Sequence, residues 1–121
     1  MKTSYFAKSK KTEGAVSIAI GTPWWAQMPK YVELAPSWEM VQDLKAEGNI
    51  ELYTERFYDQ ILGKLSAEKV YIDLEHAILL CWEKYDKFCH RRLVAQWIKS
   101  ELGIFVPEID YVGEDELYAN I

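Results

Sequence analysis

Two nearly continuous apolar runs restrict this chain more than anything else in it. Residues 14–21 read GAVSIAIG and residues 76–82 read HAILLCW. Neither alternates apolar with polar side chains, as a strand with one wet face does. Both therefore predict strands covered on both faces, the pattern of a parallel sheet flanked by helices.

The segments between and after these runs carry helix signals. Ser37 is a good N-cap for a helix with Trp38, Val41 and Leu44 on one face, ended by Gly48. Asn49 caps a second, in which Ile50, Tyr53, Phe57, Tyr58, Ile61 and Leu65 keep helical spacing. Ser66 caps a short third through Leu74, although VYIDL alone also suits a strand. Asp86 is the expected cap of a last helix over residues 87–102, stopped by Gly103. Its buried stripe is Leu93, Val94, Trp97 and Ile98, and its wet face Arg92, Gln96 and Lys99.

Residues 3–7 predict a shorter first strand. About half a dozen residues separate it from the next, and a parallel crossover usually needs about a dozen or more, so a hairpin is the simpler local reading. Residues 22–37, TPWWAQMPKYVELAPS, hold three prolines and no period. They predict a long ordered loop with aromatic anchors, the kind that often carries function. Residues 104–112 end in a short edge strand, and 113–121 form an acidic C-terminal tail. At 121 residues, half of them hydrophobic and 14% aromatic, the chain predicts one domain with a real core. The expected fold is a single small three-layer α/β domain, its mostly parallel central sheet of about four strands flanked by helices.

A formal net charge of −5 argues against general nucleic-acid binding and against adhesion to an anionic membrane. It is compatible with a local basic pocket. The first eleven residues have no continuous apolar segment and do not form a secretory signal. The longest apolar run, near residues 77–82, is far short of the roughly 20 a membrane helix needs. Two cysteines in a chain with a good core do not make a disulfide scaffold. The expectation is a cytoplasmic protein with both thiols reduced.

Those cysteines lie in residues 79–98, LLCWEKYDKFCHRRLVAQWI, with a histidine and an arginine pair, where a strand hands over to a helix. In an open parallel sheet, ligands sit at the carboxyl ends of strands. Two loops leave there, one through Gly21, Thr22, Pro23, Trp24 and Trp25, the other from Cys81 to Cys89. If their strands run parallel, both rim one crevice. Cys89, His90 and Arg91 fall in the first turn of the last helix, where free amides and partial positive charge favour an anion or a thiolate. Thus Cys89 and Glu83 are candidate reacting groups. Arg91, His90, Cys81, Trp24, Trp25 and Thr22 are candidate ligand contacts.

Each residue also has a packing role. Cys81 and Cys89 serve as small buried hydrophobes. His90 can cap a carbonyl, Arg91 can pair with Glu83 or Asp86, and Arg92 can stay wet. One tryptophan of the Trp24–Trp25 pair can plug the core and the other act as a lid or interface residue. Trp38 and Trp97 read as core. Lys8, Lys10 and Lys11 read as a solvated turn, and Glu33, Glu39, Asp43 and Glu51 as surface. Cys81, Glu83, Cys89 and His90 are metal-ligand types, but seven residues between the cysteines match no usual knuckle, and no metal is assigned. His76 lies five strand residues off, roughly 17 Å away. There is no phosphate-binding P-loop, no dinucleotide-binding glycine motif and no nucleophile elbow. Adjacent helix positions diverge, so Cys89 and His90 make a poor dyad.

The sequence resembles the domain of unknown function 488 family in its shorter members. Members carry an apolar strand, a C-x-E segment, then F/W-C-H-R opening a helix. This chain has Cys81-Trp82-Glu83 and Phe88-Cys89-His90-Arg91. SIAIGTPWW from Ser17 to Trp25, Lys30-Tyr31 and LAPSW from Leu34 to Trp38 are similar too, so the likeness runs from about residue 4 to 102. It implies a small α/β domain with these segments around one crevice, and no settled activity. Trp82 stands where members often have a smaller residue or tyrosine, and the helix that longer members place between the first two strands is missing.

Three functional readings follow. The first is binding of a small anionic ligand, a nucleotide or phosphorylated metabolite, with its processing left open and the cofactor unknown. Arg91 would hold the anion, so Arg91→Ala is expected to abolish binding without unfolding the domain. The second is a non-enzymatic interaction module or homodimer that uses the aromatics of residues 24–31 and the tail around Tyr111 and Tyr118. The third is a thiolate metal site.

Overall fold

A computed structural model of the chain describes residues 1–84 and 87–110. Strand β1 (Lys2–Tyr5) leads through a single turn, α1 (Phe6–Ser9), to β2 (Ala15–Ser17). Helices α2 (Trp38–Glu47), α3 (Ile50–Arg56) and α4 (Ala67–Leu74) follow, then β3 (Ile78–Cys81) and α5 (His90–Leu102). The three strands form one parallel sheet in the order β1-β3-β2.

That order corrects the hairpin expectation. Lys2 and Ala15 both sit opposite Ile78, one on each side of β3, so β1 and β2 never pair. The return between them is short because strands of three or four residues leave little length to retrace. Among the described residues no fourth strand follows residue 104 as expected, and residues 111 and 112 of that segment lie outside them. Thr3 makes one isolated parallel bridge to Glu108, and Ser17 makes another to Lys30 at the opposite edge. Residues 111–121, including Tyr111, Tyr118 and the expected tail, lie outside the described residues.

The capping residues behave as their chemistry dictates. Ser37 Oγ accepts from the amide of Met40, Asn49 Oδ1 from Leu52 and Ser66 Oγ from Lys69. Gly48 and Gly103 end α2 and α5 in the left-handed region, at φ 67° and 71°. α3 runs on through a widened π turn, Phe57–Ile61, and a 3-10 turn, Leu62–Lys64. The last helix starts three residues later than expected. Cys89 occupies the N-cap position and His90 is the first helical residue. The expected cap, Asp86, lies outside the described residues.

Side chains of β3 divide between two apolar clusters, as alternation along a strand requires. Leu79 joins the larger, with Leu93, Val94, Trp97 and Ile98 of α5, Phe57, and Val70 and Leu74 of α4. Ile78 and Leu80 join a smaller one with Phe6, Ala15 and Ala19. Two expectations about tryptophan and arginine are corrected here. Trp97 is buried, but Trp38 is 58% exposed. Arg92 is buried rather than wet, because residues 104–110 fold back beside α5. Its Nη1 donates to Thr3 Oγ1 at 2.6 Å and to the Val106 carbonyl at 3.2 Å. The loop at residues 22–37 is held by buried Ala26 and Leu34 and not by Trp24, which is 89% exposed. Among the described residues no helix is long and apolar enough to cross a membrane.

Candidate functional site

Both strands that carry the expected loops run parallel, so both loops leave at one rim. A cavity of about 470 Å³ opens there. Ala19, Ile20 and Gly21 after β2, Cys81, Trp82 and Glu83 at the end of β3, and Phe88, Cys89 and His90 at the start of α5 line it. Trp82 ties the first two segments together by donating Nε1–H to the Gly21 carbonyl at 2.7 Å. The remaining wall is Pro36, Trp38, Val41, Leu44 and Lys45, with Tyr53 of α3. The stripe that spacing places on α2 is therefore a cavity face. Its fully buried residue is Met40 instead.

The thiols meet at this wall. Cys81 and Cys89 are joined by a disulfide, their Cα atoms 7.2 Å apart, which corrects the expectation of two reduced thiols. The reason is the late start of α5. β3 ends at Cys81 and α5 opens only at His90, so that Cys89 stands at the helix N-cap beside the end of the strand. Both sulfurs and the nearer nitrogen of His90 lie within 4.8 Å of one another, in buried surroundings. His90 Nδ1 stands 3.8 Å from Cys89 Sγ, so neighbours judged a poor dyad from helical divergence do come together. They can do so because Cys89 is extended, at φ −153° and ψ 146°, and not yet helical.

His90 has a fixed tautomer. Its Nε2 lies 2.6 Å from the Ile18 carbonyl, which can only accept, so Nε2 carries the proton. Burial lowers the imidazole pKa to about 4, with Arg91 adding to the effect against the raising influence of that hydrogen bond. The ring is thus neutral at pH 7, with the Nδ1 lone pair toward the cysteines. Phe57 packs against the ring at 5.4 Å between centroids. Tyr53, edge-on to Phe88, has its hydroxyl pKa pushed up by burial.

Arg91 does not reach the cavity. It is fully buried and makes a two-pronged pair with Glu108, Nε to Oε1 at 3.0 Å and Nη2 to Oε2 at 2.9 Å. This corrects the expected pairing with Glu83 or Asp86. The third prong, Nη1, donates to Cys81 Sγ at 3.1 Å. Thr3 Oγ1 completes the Glu108 environment with a 2.6 Å bond. Thr22, Trp24 and Trp25 are also outside the cavity lining. Thr22 bonds to Ser17 Oγ at 2.9 Å, and Trp25 packs edge-on to Trp82 with Lys10 over its ring.

Of the candidates read from the sequence, Cys81, Glu83, Cys89 and His90 line this cavity; Tyr53, Lys45 and the α2 face line it too and are not among those candidates. The helical stripe on α2 was the available signal, but spacing alone does not say whether a stripe meets core or cavity. A family model described as "DUF488-N3a: Active DUF488-N3 subclade" matches residues 4–102. Searches of curated proteins and of solved structures found no match.

Proposed function

The chain belongs to the DUF488 family, and from that premise we propose that it binds a small anionic ligand with an aromatic ring in this cavity, where the cysteine pair and His90 supply the reacting groups. The observation that carries the reading is the convergence of the Gly21 turn, the end of β3 and the opening of α5 on one cavity. Its volume falls in the range of small-molecule sites, about 300–1,000 Å³, and its wall is mainly apolar and aromatic with few polar groups. Trp38, Tyr53 and Phe88 offer surfaces for a ring. Lys45 and the positive end of α5 would meet the anion. Arg91, engaged by Glu108, would not. It would instead favour the thiolate of Cys81 once the pair is reduced.

In that reduced state Cys89 is the nucleophile or thiolate donor, with His90 Nδ1 at 3.8 Å as a hydrogen-bond acceptor for its thiol. Glu83, exposed at the rim, would orient the ligand. The description of the subclade as active is in keeping with a pocket that carries such groups. If the protein is cytoplasmic, as its sequence suggests, a disulfide there fits a transient reacting pair better than a structural staple.

The test is a thermal-shift screen of phosphine-reduced protein against nucleotides and phosphorylated metabolites, with alkylation of Cys89 read by mass spectrometry. A ligand at 100 times its Kd should add about 2.7 kcal/mol of stability. It should also protect Cys89 and lose its effect in Leu44→Trp, which fills the cavity. A screen that moves nothing, or a hit that leaves Cys89 alkylation unchanged, rejects the reading.

The almost fully exposed Trp24 favours a second reading, a docking surface for a protein partner or a second copy. Light scattering of wild type and Trp24→Ala tests self-association. A monomer in both rules out the second copy.

A further inference from the structure

We propose that Cys81, Cys89 and His90, when the cysteine pair is reduced, hold a zinc-type ion with a fourth coordination position open to the cavity. The open position rests on the cavity being the ligand site, while the three protein ligands stand on their own geometry.

The donor set is the first argument. Two sulfurs and one imidazole nitrogen, all within 4.8 Å, are donors that zinc prefers, in the two-cysteine, one-histidine combination of sites that keep a fourth position free. Around such an ion, with Zn–S bonds of about 2.3 Å, the sulfurs stand roughly 4 Å apart. The Cα separation of 7.2 Å, beyond the usual disulfide span of about 4.4–6.8 Å, leaves room for that.

The outer contacts are the second and independent argument. A histidine that binds metal through one nitrogen commonly donates the other N–H to a backbone carbonyl or a carboxylate. His90 does this at Ile18 and turns its bare nitrogen toward the sulfurs. Cys81 receives an N–H from Arg91, which Glu108 holds on its other two prongs. Charge also balances at the ion itself: a divalent ion with two thiolates and a neutral imidazole sums to zero, while Glu108 faces both Arg91 and Arg92 beside it. A metal centre without net charge avoids the large cost of isolated ions out of water. A fully buried arginine–glutamate pair aimed at a cysteine is hard to explain by packing alone.

The chemistry closes without an unnamed partner. A dithiol delivers two electrons and two protons to the Cys81–Cys89 bond and becomes a disulfide, or a phosphine delivers the electrons and water the protons and the oxygen of the phosphine oxide; either route gives two thiols. The ion then displaces both thiol protons to solvent and takes the Nδ1 lone pair. Its fourth position would face the cavity, which Glu83 also lines, and would be open to water or a ligand heteroatom. A small disulfide oxidant that takes two electrons from the thiolates, itself becoming two thiolates, rejoins Cys81 to Cys89 and releases the ion.

The experiment is an anaerobic titration of phosphine-reduced full chain with Co(II). Expected are one equivalent bound, sulfur-to-cobalt absorption in the near ultraviolet, visible bands of a tetrahedral site, and loss of all of them on adding one equivalent of Zn(II). Oxidised protein and the Cys81→Ala/Cys89→Ala variant should take no Co(II). Arg91→Lys, which keeps the charge and changes the fork, should bind about 10–100-fold more weakly. X-ray absorption of the zinc form needs no variant. It should show two sulfurs near 2.3 Å and lighter donors near 2.0–2.1 Å. Added imidazole should shift the visible bands by entering the open position.

Silence from the reduced protein, binding by the oxidised form, or a shell of light atoms only would overturn the site. Bands indifferent to imidazole would overturn its open position. Apart from the imidazole addition, none of these measurements uses a cavity ligand, so a missing ion and a missing ligand are read separately.

Discussion

His90 Nε2 lies 2.6 Å from the carbonyl oxygen of Ile18, so the first residue of α5 is fastened to the residue just after β2. This bond crosses 72 positions of sequence and is buried. Removing the imidazole leaves a carbonyl without its partner in the interior, at a cost of about 1–3 kcal/mol. His90→Ala should lose about that much in urea unfolding. His90→Gln, which keeps an N–H donor, should recover part of it. Equal losses in the two variants would show that ring packing against Phe57, not the hydrogen bond, carries the effect.

Arg91 and Glu108 predict a sharper result. Deleting one partner of a buried, hydrogen-bonded pair costs about 3–5 kcal/mol, because the other charge stays buried. Arg91→Ala should therefore destabilise the whole domain, contrary to the sequence-based expectation that it removes binding alone. The paired replacement Arg91→Met/Glu108→Leu should be more stable than either single variant. Chemical denaturation of the three variants measures this directly, and additive losses would refute the coupling.

Gly14 and Gly103 both have positive φ, at 86° and 71°, but differ in surroundings. A Cβ at Gly103 meets nothing within 4 Å, so Gly103→Ala should cost only the left-handed backbone penalty, about 1–2 kcal/mol. A Cβ at Gly14 would sit 2.9 Å from the His76 carbonyl oxygen, a backbone atom that cannot step aside cheaply. Gly14→Ala should cost more than Gly103→Ala. Thermal melts of the two proteins rank them.

Asp73 gives the pH prediction. Lys69 and then Tyr31 hydrogen-bond its carboxylate and hold its pKa below the ordinary 3.8. A depressed carboxylate contributes stability that is present above 3.8 and is lost as pH falls through the lowered value. Tyr31→Phe removes one donor. The variant should show a smaller drop in stability across that acid window than wild type, with both compared by melting at steps of pH.

Much of the fold was legible because much of it is local. Ser37, Asn49 and Ser66 each cap within three residues, and Gly48 and Gly103 stop their helices where the backbone must turn left-handed. The meeting of the two strand-end loops was legible too, since parallel strands of similar length expose their carboxyl ends on one rim. What was hidden depends on distant chain. Sheet order turns on β3 entering between β1 and β2. Arg92 is buried by a segment more than ten residues later. Cys81 reaches Cys89 only because α5 starts at His90, and nothing in the intervening residues announces that start. Trp24 and Trp38 mislead for a related reason, as large apolar side chains are often left outside.

The pairing of Arg91 with a residue as late as Glu108 also decides where this domain can be cut. The stretch that marks it as a family member closes at residue 102, which invites trimming there. Such a shortened protein would leave a guanidinium in the interior with no counterion and the outer edge of β1 without its bridge. The contacts that hold Arg91 thus extend past the segment by which kinship is recognised, through residues whose contribution is electrostatic.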